Sequence, residues 1–232
     1  MGKESVLITG SSRGLGRELA RVFAENGYYV ITHGKNRESI LKSQLDLLSR
    51  YKLTTSGVSG DLKLEDTVNK LAMLAIENDI SILINNAAVG MDETFSDISE
   101  ERIKEILEVD MYAPILLTKK IYPLFEKKSS GTIVNIIGQG PLKDQQNQTI
   151  YRASKLGLKG FTDNLRYESK PKGIRVIGVL LGGMDTEMYR QTAGDSSKCI
   201  NPKEVSDIIY YVTNAGKSCM VDEISIGRIN YS

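Results

Sequence analysis

Seven short apolar runs, separated by longer stretches of helical period, constrain this chain more than any other feature of it. The runs are SVLIT (5–9), YYVIT (28–32), a weaker LTTSGVS (53–59), ISILI (80–84), TIVNII (132–137), IRVIGVLL (174–181) and VDEISI (221–226). Most are too continuously apolar to keep one face in water, the mark of strands covered on both sides. Between the first two, LGRELARVFAEN (15–26) places Leu15, Leu19, Val22 and Phe23 on one stripe and ends at Gly27. Further helices are predicted over 37–50, 65–77, 100–125, 151–169 and 202–214. Strands joined by crossover helices make a parallel sheet. The sequence therefore predicts an α/β fold: a doubly wound parallel sheet of about seven strands with helices on both faces. No repeat, low-complexity tract or linker divides it, so one domain over 1–232 is expected.

Bulk properties narrow the function. A length of 232 residues, 41% hydrophobic and 25% charged, suits one ordinary globular core. The net charge of +1 offers no electrostatic case for nucleic acid or anionic membrane. No apolar run approaches the roughly 20 residues that span a bilayer, and MGKESVLITG has no signal-peptide core. Cys199 and Cys219 fit neither a disulfide framework nor metal spacing, so no metal is expected. His33, the single histidine, excludes His-rich metal sites and most Ser-His or Cys-His hydrolytic machinery. A reduced, cytoplasmic protein is the expectation.

The first strand runs into TGSSRGLG (9–16), where Gly10, Gly14 and Gly16 allow a sharp turn and let bare backbone approach a ligand. The helix starting near Leu15 aims its free N–H groups and the positive end of its dipole at the same place. Such a turn at the switch point of a doubly wound sheet binds a pyrophosphate. The spacing is G-x-x-x-G-x-G; a plain glycine-rich strand–helix turn is the bland alternative. In VSGDL (58–62), Asp61 ends the third strand where a carboxylate can accept from an adenine amino group. ILINNAA (82–88) ends the fourth strand in asparagines and small residues that let a flat ring approach.

In TIYRASKLG (149–157), Tyr151 and Lys155 lie one helical turn apart. Of eleven tyrosines, Tyr151 alone is followed four residues later by a lysine. TGSSRGLG, GDL, NNAA and YRASK, in this order, resemble the short-chain dehydrogenase/reductase family. The compact single-domain type of the 3-oxoacyl-carrier-protein reductases is the nearest likeness. The resemblance covers nearly the whole chain, including LLGGMDTEM (180–188). It implies an NAD(P)-binding Rossmann domain and an oxidoreductase that interconverts a carbonyl and an alcohol. Tyr151 would give the proton, Lys155 would lower the phenol's pKa and hold the nicotinamide ribose, and Asp110 would stand at a supporting catalytic position. The cofactor-binding residues it implies are Gly10, Ser12, Arg13, Gly14, Leu15, Gly16, Lys35, Asp61, Leu62, Asn86, Ala87, Tyr151, Lys155, Gly183 and Thr186. A free phenol near pKa 10 needs such tuning to serve at neutral pH.

Two catalytic positions depart from the family's pattern. The usual serine, thirteen residues before the tyrosine, is Gly138 here. Loss of such a donor costs on the order of 10²–10³ in turnover. Gln139 or the amides of KDQQNQ (143–148) are candidate replacements. Restoring a serine at 138 should add a donor unless glycine is required for backbone reasons. The family's asparagine aligns with Asp110, which either keeps a backbone carbonyl in the relay or turns its carboxylate on Lys155 and offsets its charge. NNAA in place of NNAG and Gly182 in place of a frequent proline are milder changes. Two readings stay open: an enzyme, favoured by retention of both Tyr151 and Lys155, and a nucleotide-binding sensor or partner subunit with little catalysis.

Cofactor, partner and substrate follow as expectations. The second strand ends in THGKNRE, with no carboxylate before Glu38 to read a ribose 2′-hydroxyl. Arg13 with Lys35 or Arg37 can meet a 2′-phosphate, so NADP(H) is expected in preference to NAD(H). A homodimer or homotetramer through helices 100–125 and 151–169 is implied by the resemblance. The hydrophilic KDQQNQ and YRQTAGDSSK segments point to a small polar substrate rather than a long acyl chain.

Overall fold

A computed structural model describes residues 4–51, 55–139, 146–193, 199–216 and 218–229. Seven strands form one sheet: β1 (Ser5–Ile8), β2 (Tyr29–Gly34), β3 (Ser56–Ser59), β4 (Ile82–Asn85), β5 (Gly131–Ile136), β6 (Ile174–Leu181) and β7 (Glu223–Ile226). Their spatial order is β3-β2-β1-β4-β5-β6-β7, and every pairing is parallel. The chain builds outward from β1 in one direction and then crosses to β4 to build in the other. The switch point between β1 and β4 is where ligands enter sheets of this kind.

The strands alternate their side chains between two apolar layers, which is why their sequences look continuously hydrophobic. Val6 and Ile8 of β1 pack with Leu19 and Phe23 of α1 (Gly14–Glu25) and with Val205 and Ile209 of α8 (Pro202–Thr213). Leu7 faces the other way, toward Leu71 of α3 (Glu65–Glu77) and Leu117, Ile121 and Phe125 of α5 (Ala113–Lys128). Full burial of each such side chain contributes roughly 1.5–3 kcal/mol. α2 (Arg37–Tyr51) and α6 (Thr149–Ser169) complete the covering. A short α7 (Glu187–Ala193), which the periodicity did not foretell, follows β6.

The helix expected over 100–125 is two helices. α4 (Glu100–Leu107) passes through one widened π turn, Glu108–Tyr112, into α5. Pro114 has no N–H to give the carbonyl of Asp110 four residues back. The ladder slips, so that Ala113 N–H reaches Glu108 five residues back. Turns of this kind re-aim side chains and collect at functional sites. Here the slip delivers Asp110, 0% exposed, beneath α6.

Among the described residues no helix is long and apolar enough to cross a membrane.

Candidate functional site

A cleft of about 1380 Å³ opens at the carboxyl ends of the strands. Each of the fifteen expected cofactor-binding residues lines it, from Gly10 and Ser12 through Asp61 and Asn86 to Tyr151, Gly183 and Thr186. Asp110 lies just behind it; Arg37 is not part of its wall.

The glycine turn is shaped for a ligand. Gly10 adopts φ +66°, and a Cβ there would lie 2.9 Å from Ala87 Cα, so the position requires glycine twice over. A Cβ at Gly16 would run into the Gly10 carbonyl and the Asn86 amide. α1 begins at Gly14, one residue before the expected start, after an extended Arg13 that gives no side-chain cap, and its first turn holds no acid. By contrast Ser99 and Asn201 cap α4 and α8 from within the chain. The leading N–H groups of α1 thus face the cleft with their positive dipole end unanswered, which suits a phosphate.

Asn86 works as a brace. Its Nδ2 donates to the carbonyls of Thr9 (2.9 Å) and Gly10 (3.2 Å), and its own N–H donates to Thr9 Oγ1.

His33 does equivalent work from β2, and the sequence reading gave it no role. Gly10 N–H donates to its Nδ1 (3.2 Å), and its Nε2 donates to the Gly60 carbonyl (3.1 Å). These two bonds define the neutral Nε2–H tautomer. Burial pushes its pKa from 6.5 down to about 4, against the pull of the Gly60 carbonyl and of Asp61. Nothing local in the sequence marks this role, since Gly10 and Gly60 lie 23 and 27 residues away along the chain.

At the glycine-turn end, cations and carboxylates find each other. Lys35 Nζ lies 2.8 Å from Asp61 Oδ2, and Arg13 lies 3.0 Å from Glu187. Asp61, expected to face an adenine, is thereby shared with Lys35, which holds its carboxyl low against the opposing effect of burial. Both cationic side chains are more than half exposed, and such pairs are worth about 0–1 kcal/mol.

At the other end, α6 carries Tyr151 and Lys155. Lys155 is 2% exposed; its Nζ lies 5.6 Å from the Tyr151 ring centre, 3.4 Å from the Ile136 carbonyl and 3.3 Å from Asp110 Oδ2. Of the two roles left open for Asp110, the structure shows the carboxylate turned on Lys155. Its Oδ1 accepts from Val89 N–H (2.7 Å), which ties the pair to the strand of chain following β4. Burial opposes the Lys155 charge, but Asp110, and Tyr151 once ionised, outweigh it and raise the ammonium's pKa. The tuning of Tyr151 differs from the expectation. Burial raises the phenol's pKa; Lys155 pulls it down and Asp110 pushes it up, with a net rise.

Position 138 has a backbone reason to be glycine. Gly138 adopts φ +99°, a region side chains rarely enter. Gln139 is committed elsewhere: its N–H donates to the Leu181 carbonyl (2.6 Å) and its Nε2 to Ser225 Oγ (2.7 Å). Residues 143–145 of the amide-rich segment lie outside the described residues, while Gln146 and Gln148 line the cleft. On this side the wall also includes Met184, Met188, Tyr189 and Arg228. Tyr189 stands in α7, and Arg228, two residues past β7, had no sequence signal. Residues 194–198 of the YRQTAGDSSK segment are likewise outside the described residues.

A sheet of this order, with a glycine turn at its switch point and a Tyr-Lys pair across the cleft, defines a nucleotide-dependent oxidoreductase fold. The sequence model of the family described as short chain dehydrogenase matches residues 4–196. The chain belongs to the short-chain dehydrogenase/reductase family of NAD(P)-dependent oxidoreductases. It is 28% identical over 230 residues to a 3-oxoacyl-acyl-carrier-protein reductase of Aquifex aeolicus, covering 94% of this chain and 93% of the relative. It is 30% identical over 189 residues to the enzyme of that name from Chlamydia muridarum, covering 81% and 76%. Among solved structures, a Sphingobium yanoikuyae short-chain dehydrogenase in complex with NADPH superposes with a TM-score of 0.87 at 24% identity, covering 95% and 87%. A metagenomic short-chain oxidoreductase in complex with NADP gives 0.85 at 21%, covering 98% of both chains.

Proposed function

We propose that this chain, as a single domain, reduces a small polar carbonyl compound, or oxidises the matching alcohol, with NADP(H) and with Tyr151 as proton donor and acceptor. The observation that carries the reading is one cleft holding an uncapped glycine-turn helix at one end and the Tyr151–Lys155–Asp110 set at the other. The residues present fit a dinucleotide. The N–H groups opening α1 and the close approach at Gly10 and Gly16 would receive its phosphates, with Leu62, Asn86, Ala87, Gly183 and Thr186 lining the rest of its path. Lys155 is placed for the ribose hydroxyls.

When bound, the reduced nicotinamide supplies a hydride. The protein's part is the proton: as the carbonyl carbon gains hydride, the oxygen takes the C=O π pair and the Tyr151 phenol proton. The phenolate left behind faces the Lys155 ammonium. A phenol is protonated at neutral pH, the form that serves reduction, and burial raises the Tyr151 pKa further. Reduction should therefore hold steady near neutrality and fall in alkali, while oxidation rises toward alkaline pH as the phenolate forms. Asp110 partly offsets the ammonium, and position 138 brings no hydroxyl, so turnover is expected to be slow.

The preference for NADP(H) over NAD(H) is supported by the end of β2, where His33, Gly34 and Lys35 offer no carboxylate to a 2′-hydroxyl. Lys35 and Arg13 are held by exposed pairs that a 2′-phosphate can replace. The NADP and NADPH complexes of the structural neighbours point the same way. Self-association into a dimer or tetramer through α4, α5 and α6 is part of the proposal. Exposed Tyr112, Leu156 and Tyr167 lie on that surface, and a solution mass that stays monomeric across micromolar concentrations refutes it.

The test is hydride transfer, followed at the nicotinamide absorbance across carbonyl and alcohol substrates, in wild type and Tyr151→Phe. Turnover should fall about 10²–10⁴-fold with cofactor affinity unchanged. If wild type binds NADPH yet never exceeds the Tyr151→Phe background, the protein is a nucleotide-binding sensor or partner subunit instead.

A further inference from the structure

Among the described residues four cationic side chains line the cleft, and three are matched. Arg13 pairs with Glu187, Lys35 with Asp61 and Lys155 with Asp110. The fourth, Arg228, has no carboxylate within ion-pair reach among the described residues. Its Nη2 donates to Tyr189 Oη (2.6 Å), and its guanidinium carbon lies 5.0 Å from the centre of the Tyr189 ring. Backbone makes room for it: a Cβ at Gly183 would run into Nη2, and at Gly182 it would lie 3.5 Å from the Arg228 N. Gly182 and Gly183 follow directly from β6, beside the end of β5 where Gly138 stands. The guanidinium is thus held against the chain by a ring and a glycine, half-buried, in the wall of the cleft that Tyr151 also lines. A fork of N–H donors fixed in this way is built for a planar acceptor.

We propose that Arg228 is a specificity-determining residue that holds the carboxylate of an oxo-acid substrate while its carbonyl faces Tyr151. The inference rests on the oxidoreductase reading and deepens it from a polar carbonyl compound to a carboxylated one. One unmatched cation calls for one negative charge. That favours a carboxylate over a phosphate dianion, whose sites gather several donors and a helix N-terminus. It also gives the chain a means of choosing substrates that Gly138 and the paired Lys155 do not supply: an uncharged ketone leaves the guanidinium without its acceptor.

The experiment separates binding from turnover. NADP⁺ is first titrated calorimetrically into wild type, Arg228→Gln, Arg228→Lys and Tyr189→Phe. Pyruvate, acetoacetate and levulinate, each beside its methyl ester, are then titrated into the NADP⁺-loaded proteins, where ketone and oxidised cofactor cannot react. The same pairs are assayed as substrates with NADPH. At least one acid should bind wild type roughly 10–100-fold tighter than its ester, the contribution of a charge-assisted hydrogen bond. Arg228→Gln should abolish the difference, through KM more than kcat and with NADP⁺ affinity intact. Arg228→Lys should keep part of it, and Tyr189→Phe should weaken it by loosening the guanidinium. The proposal is overturned if no acid outbinds its ester, if the preference survives Arg228→Gln, or if that variant loses NADP⁺ affinity instead. Failure of wild type to bind NADP⁺ at all overturns the oxidoreductase reading and this inference with it. Cofactor binding without acid preference overturns the inference alone.

Discussion

The two ends of the cleft are built on opposite principles. At the glycine-turn end nearly every polar group is spoken for by the protein itself. His33 and Asn86 brace Gly10, Lys35 is matched by Asp61, and Arg13 by Glu187. What is left open there is backbone, the N–H groups that begin α1. At the Tyr151 end the backbone is closed and side chains carry the chemistry: Lys155 and Asp110 buried together, Tyr151 half-buried above them, Arg228 unmatched among the described residues. A site made of backbone tolerates little change of shape, because a Cβ added at Gly10 or Gly16 meets main chain. A site made of side chains changes specificity through single substitutions, and it is there that Gly138 and Asp110 stand.

The comparison breaks most decisively at His33. The folded state holds its ring neutral with a pKa of about 4, against 6.5 when exposed. Between those values the unfolded chain binds a proton that the fold refuses, so stability falls as pH drops through that window. The loss by pH 4 is on the order of 3 kcal/mol from this residue. Denaturant unfolding at pH 7 and pH 4.5 should show this loss in wild type and a smaller one in His33→Asn. Equal losses would mean the brace does not couple to protonation.

Gly16→Ala probes the same end through shape alone. With the Gly10 carbonyl and the Asn86 amide in the way, the turn must open, at roughly 1–3 kcal/mol, and NADPH affinity by calorimetry should fall by a corresponding factor. At the other end Gly138→Ser is expected to lose about 1–2 kcal/mol of stability, since φ +99° is foreign to a side-chain-bearing residue. No gain in turnover should accompany it. A faster enzyme would show that the β5 end relaxes to accept the hydroxyl. The smallest effect belongs to Lys35→Ala. Removing one exposed pair should leave stability within about 1 kcal/mol while narrowing the preference for NADPH over NADH, read by paired titrations.

Strand number, parallel topology and the cleft's position were legible because they follow from local patterns. Apolar runs of strand length, helical stripes between them and glycines after β1 each act over a few residues. The Tyr151–Lys155 pair was legible for the same reason, being four residues apart on one helix. Other features depended on which distant segments meet. Pro114 breaks the helix expected over 100–125, but only the packing of α6 against the π turn turns Asp110 onto Lys155, 45 residues away in sequence. The glycine at 138 read as a missing hydroxyl; its positive φ is imposed by the junction of β5 with the wall of the cleft.

His33 looked like an isolated histidine until β1 and β3 placed Gly10 and Gly60 on its two nitrogens. Arg228 had no sequence context at all, and it enters the site because β7 joins the sheet beside β6 and delivers the residues after it to Gly183. The sequence by itself determined the sheet, the glycine turn after β1 and the Tyr151–Lys155 pair, each encoded by neighbours along the chain. The tertiary structure alone decided the charge environment of Tyr151 and brought Arg228, unmatched among the described residues, to the same cleft, because Coulomb interactions and burial depend on distances in space that no local pattern specifies.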